Sequence, residues 1–173
     1  MKKLVILYGE QNAGKTSTLR LVFELLTGTS ANLLPPTDLR VVIHVGRKTV
    51  YLASHGDAPG YMKTNFNFFT NKMYGNLVVY EFLNGQLVKI NKTRFAQLKP
   101  NVCVTACRVY YNDKANDTYN ALNKLIMKKM PVTEGIIWIP KQKADEPKKL
   151  RRSINDDMNV AKSIISVIRR RFV

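Results

Sequence analysis

Residues 9 to 16 read Gly-Glu-Gln-Asn-Ala-Gly-Lys-Thr, and Gly9, Gly14, Lys15 and Thr16 together satisfy the pattern G-x-x-x-x-G-K-[ST]. Each position has a chemical reason. The glycines let the chain wrap so that successive backbone N–H groups, those of Asn12 to Thr16, point inward at phosphate oxygens. A helix that opens at Lys15 adds the positive end of its dipole. Lys15 reaches the β and γ oxygens of a nucleoside triphosphate, and the Thr16 hydroxyl suits Mg²⁺. Ser17 falls next to the α-phosphate. The predicted ligands are therefore ATP or GTP with Mg²⁺, held by Gly9, Asn12, Ala13, Gly14, Lys15, Thr16 and Ser17.

Such a loop needs a strand before it and a helix after it. Lys3 to Tyr8 (KLVILY) is a near-continuous apolar run, as expected of a strand buried on both faces of a parallel sheet. Lys15 to Thr27 places Leu19, Val22, Phe23 and Leu26 at helical offsets, and Gly28 follows as a C-terminal cap. With strand, loop and helix in this order, the sequence resembles the P-loop nucleoside-triphosphatase superfamily, specifically over Lys3 to Thr27 and diffusely elsewhere. The resemblance implies an α/β fold, a three-layer sandwich on a mainly parallel sheet, with nucleotide and Mg²⁺ at the strand ends. It points to no closer family.

Such sites usually add an acid at the end of a neighbouring strand to hold the metal's water shell. Asp57, in the turn after Val50 to Ser54, is the preferred candidate because ligands can reach a loop. Glu81, after Leu77 to Tyr80, is the alternative, although the Asn-Gly turn behind it puts it inside a hairpin. His55 beside Asp57 is a candidate for polarising a water. Arg108 follows the apolar run Val102 to Cys107, where strand ends meet ligand, and an arginine there can neutralise γ-phosphate charge. Lys15, Arg108 and Asp57 are thus the candidate catalytic residues, and Thr16 and Asp57 the candidate metal ligands.

The remaining chain supplies scaffold. Leu39 to Val45 and Thr49 to Ser54 predict an antiparallel hairpin, and so do Leu77 to Leu83 and Gln86 to Ile90 around Asn84-Gly85, a type I′ signal. Residues 62–98 are a candidate insertion carrying that second hairpin. Thr93 to Leu98 and Thr118 to Met130 predict helices, and Gly135 to Ile139 predicts the last strand. Lys141 to Arg152 reads as a charged loop. Ser153 to Phe172 predicts a C-terminal helix with Ser153 and Asp156 as a capping pair, its apolar stripe formed by Ile154, Met158, Ala161, Ile165, Ile168 and Phe172. Arg169 to Arg171 suit the negative end of its dipole. One domain over residues 1–173 is expected.

Composition bounds the partners. The 173 residues carry a net charge of +16, and residues 141–173 hold ten basic and four acidic side chains. A nucleic acid or another polyanion would suit that charge, and so would a simple solvated face. No apolar run approaches the roughly 18 residues of a membrane span, and a cytoplasmic location is expected. Cys103 and Cys107, four residues apart in one strand, lie about 13 Å from each other, beyond the roughly 7 Å that a disulfide allows.

Three activities remain open. The chain reads first as a Mg²⁺-dependent ATPase. A small kinase is the first alternative, weakened because Arg47, Arg94 and Arg108 are dispersed in the sequence. An ATP-regulated module binding nucleic acid is the second. The order of elements also resembles small GTPases, but Asn71-Lys72, Asn91-Lys92 and Asn123-Lys124 all lack the aspartate that guanine recognition would need.

Overall fold

The structure is a computed structural model, described over residues 2–9, 13–54, 77–108, 135–141 and 149–170. These residues form a mixed α/β fold on one seven-stranded sheet. In chain order the elements are β1 (Lys3–Gly9), α1 (Lys15–Thr27), a 3-10 turn (Ala31–Leu33), β2 (Arg40–Val45), β3 (Lys48–Ala53), β4 (Val79–Leu83), β5 (Gln86–Ile90), α2 (Lys92–Leu98), β6 (Val102–Arg108), β7 (Ile136–Pro140) and α3 (Lys149–Arg169). Across the sheet the order is β5-β4-β2-β3-β6-β1-β7. Pairs β1–β6, β1–β7, β3–β6 and β2–β4 are parallel; β2–β3 and β4–β5 are the antiparallel hairpins. The sheet is therefore mainly parallel, and the second hairpin continues it through β2–β4 rather than standing apart from it.

β1 is apolar without alternation because it is covered on both sides: Leu4 to Leu7 are all fully buried. Val5 and Leu7 join a core with Leu19, Val22 and Phe23 of α1 and Ala161, Ile164 and Ile168 of α3. Leu4 and Ile6 face the other way, with Cys103, Cys107, Tyr51 and Phe95 of α2. Tyr51 and Phe95 meet edge to face at a centroid separation of 5.2 Å, an orientation that sets one ring's positive edge on the other's negative face. Both cysteines are buried thiols, and burial raises the pKa of Cys103.

Local signals act as their chemistry requires. α1 ends where Gly28 adopts φ 67° and donates its N–H to the Glu24 carbonyl. In the β4–β5 turn Asn84 and Gly85 both take positive φ, 50° and 79°, as a type I′ turn demands.

The C-terminal helix departs from expectation. It begins at Lys149, so Ser153 and Asp156 lie inside it and form no N-terminal capping pair. The charged segment before Ser153 has no glycine or proline between Lys149 and Arg152 to stop the helix from extending backwards. At the other end Lys48, at the start of β3, donates to the carbonyls of Ile168 and Arg170 (2.6 Å to the latter), so a lysine from the sheet caps the helix alongside the helix's own Arg169. The predicted helix Thr118 to Met130 lies outside the described residues. No described helix is long and apolar enough to cross a membrane.

Candidate phosphate site

β1 stops at Gly9 and α1 starts at Lys15. Gly14 precedes the helix at φ 85° and ψ 24°, a left-handed conformation that costs an L side chain roughly 1–2 kcal/mol. It brings no side-chain cap, and the first turn of α1 holds no acid. α1 thus supplies no anion of its own at the positive end of its dipole; the carboxylate beside Gly14 is that of Asp157, from α3. The Lys15 ammonium reaches back to the end of β1 and donates to the Gly9 carbonyl at 3.1 Å. Thr16 is half-buried beside it, Ser17 is exposed, and Ala13 is buried.

Arg108 is brought to this edge by strand register. β6 lies directly beside β1, and Arg108 is the position paired with Gly9. β3 is parallel to β6, so it too runs out at this edge, after Ala53. It is separated from β1 by one strand, roughly 10 Å between axes. Asn12, His55 and Asp57 lie outside the described residues.

Glu81 does not belong to this site. Its strand, β4, is four positions from β1 in the sheet order, roughly 19 Å at the usual strand spacing. Its side chain is 2% exposed and fully engaged. Arg94 donates to both carboxylate oxygens at 2.9 Å, and His44 Nε2 sits 2.9 Å from Oε1. Burial pushes the Glu81 pKa up, but the Arg94 and His44 contacts outweigh it and the net shift is down. This carboxylate ties α2 and β2 to β4.

A different acid lies at the loop. The Asp157 side chain, on α3, is 7% exposed and pairs at 2.8 Å with the ammonium of Lys141, itself 1% exposed. Asp156 holds the same ammonium at 2.6 Å from a half-exposed position. Burial alone would lower the Lys141 pKa; hydrogen bonds to both aspartates raise it further than burial lowers it. A Cβ placed on Gly14 would stand 2.7 Å from Asp157 Oδ1. One on Gly9 would overlap the Lys141 carbonyl. The Thr18 hydroxyl lies 2.8 Å from the Gly14 carbonyl and 3.4 Å from Asp157 Oδ1. Lys141 continues β7 alongside β1, its N–H donating to the Tyr8 carbonyl at 2.8 Å.

The sequence did carry a trace of this arrangement. Asp157, Ala161, Ile164 and Ile168 recur at four, three and four residues, which sets an acid on the apolar stripe of α3. Nothing in the spacing ties that acid to Lys141, sixteen residues earlier. Among the described residues, no three His, Cys, Asp or Glu come together as a metal cage. A cation here would need the Thr16 hydroxyl and oxygens of its own ligand.

Compared with known protein families, with curated proteins and with solved structures, the chain matches none.

Proposed function

We propose that the β1–α1 junction binds the phosphates of a nucleoside triphosphate with Mg²⁺, and that the protein is an ATPase. The observation that carries this reading is the junction itself. A left-handed glycine opens an α-helix straight after a buried parallel strand, and the Lys15 ammonium lies 3.1 Å from the Gly9 carbonyl. Backbone N–H groups at a helix N-terminus suit a polyphosphate, and a lysine at that point adds a positive charge without needing a fixed geometry. The bound cation would neutralise oxygen charge on the triphosphate. The chain's own part is to hold Lys15 and the loop amides where charge grows during phosphoryl transfer, so catalysis is positioning and electrostatics. Arg108, paired in register with Gly9, is the residue we assign to γ-phosphate charge.

The test is a Mg²⁺-dependent turnover assay with ATP and GTP, alone and then with a nucleoside panel and with nucleic acid. Slow phosphate release from ATP alone supports the ATPase reading. Transfer of labelled phosphate to a nucleoside would replace it with a kinase. Absence of both binding and turnover with either nucleotide would end the phosphate-site reading.

A further inference from the structure

The Lys141–Asp157 pair is a costly thing to bury, because two ions lose their water and recover only their mutual attraction. Its location supplies a use. The phosphate loop has two fixed ends, Gly9 and Gly14, and each end rests on one half of this pair. The Gly9 backbone lies so close to the Lys141 carbonyl that no side chain fits between them. The Gly14 backbone lies against the Asp157 carboxylate, where a Cβ would stand 2.7 Å from Oδ1. The Nζ–Oδ1 contact of 2.8 Å closes the circuit from one end of the loop, through β7 and α3, to the other. Thr18 adds a cross-link by lying within hydrogen-bond reach of both Gly14 and Asp157.

We infer that Lys141 and Asp157 are positioning residues that set the span of the phosphate loop, and so make the C-terminal helix a working part of that site. Charge accounting agrees. Asp157 alone would put a buried negative charge under a site meant for anions. Lys141 sets the opposite charge 2.8 Å from it, so the buried pair is neutral. The pair therefore holds the loop without repelling phosphate. Because loop and helix share one ion pair, anything that favours the seated helix favours the phosphate-ready loop, and the reverse holds by linkage.

This inference rests on the phosphate-site reading for its consequence, but its structural half is testable without nucleotide. The central variant is Lys141→Met with Asp157→Asn, which keeps shape and removes both charges. Asp157→Asn alone, which leaves Lys141 its Asp156 partner, serves if the double variant does not fold. Amide exchange is followed in the free protein at Thr18 and Lys141, whose N–H groups bond the Gly14 and Tyr8 carbonyls at the two ends of the loop, and at Val5, Leu7 and Val104 in the central strands. The expected result is about tenfold faster exchange at the loop's ends with the strands unchanged. Affinity for ATP with Mg²⁺ should weaken by about tenfold to a hundredfold, since a slightly misplaced cradle loses its convergent contacts. Exchange at the loop's ends that stays at the wild-type rate, or rises only in step with the strands, would overturn the inference. Tighter ATP binding in the variant would overturn it too, because the pair would then act only through charge. If the wild-type protein binds no triphosphate, the phosphate-site reading fails while the exchange comparison still decides the strut.

Discussion

Two buried carboxylates define two regions of this molecule, and they were built for different work. Glu81 sits in β4, gripped by Arg94 and His44, both of which keep a large share of their surface in water. Asp157 sits at the β1–α1 junction, gripped by Lys141, which keeps almost none. The first is a clasp between α2, β2 and β4, and its partners can fall back on solvent. The second underlies the backbone of Gly9 and Gly14, and its partner has no such refuge. Residue type would make either acid a candidate for metal chemistry. Position in the sheet order separates them, since only Asp157 lies at the loop.

The largest expected contrast is in stability. Lys141→Met alone strands the Asp157 charge in the interior and should cost about 3–5 kcal/mol, read as a fall in the denaturation midpoint. Glu81→Gln keeps an acceptor in place and leaves Arg94 and His44 free to hydrate, so its cost should be about 1–3 kcal/mol. Equal losses would erase the distinction drawn between the two regions.

Smaller effects should appear with pH, and at opposite limits. The Glu81 pKa is held below its ordinary value of 4.5. Its contribution to stability is therefore full above that value and is lost as pH falls through the depressed folded value. The Lys141 pKa is held above its ordinary value of 10.5. Its contribution is full below that value and disappears as pH rises through the elevated folded one. Glu81→Gln should flatten the acid limb of a stability–pH profile and leave the alkaline limb alone. The paired Lys141→Met, Asp157→Asn variant should flatten the alkaline limb. A Glu81→Gln profile with an altered alkaline limb, or a paired variant with an unchanged alkaline limb, would contradict these pairings.

The sequence was informative where structure is local. Lys15 to Thr27 folds as the apolar offsets predict, with Gly28 ending it, and Asn84-Gly85 makes the hairpin turn its backbone preferences demand. The buried parallel strands at Lys3 and Val102 follow from their unbroken apolar runs. What could not be read was order across the sheet. Nothing in the chain says that β6 inserts between β1 and β3, or that Glu81 ends four strands from Gly9. The start of α3 is ambiguous in the sequence because Ser153 and Asp156 have the spacing of a cap, while the Lys-Leu-Arg-Arg segment before them is equally able to be helical. The Lys141–Asp157 pair was hidden for a related reason: its members meet only after β7 and α3 have packed against the same loop.

The most direct test of the central claim is calorimetric titration of ATP with Mg²⁺ into the wild-type protein and into Lys15→Ala, with circular dichroism to establish that both are folded. The wild type should bind saturably and in a Mg²⁺-dependent way, and the folded variant should lose tight binding. Unchanged affinity in a folded Lys15→Ala protein would contradict the assignment of this loop as the phosphate site.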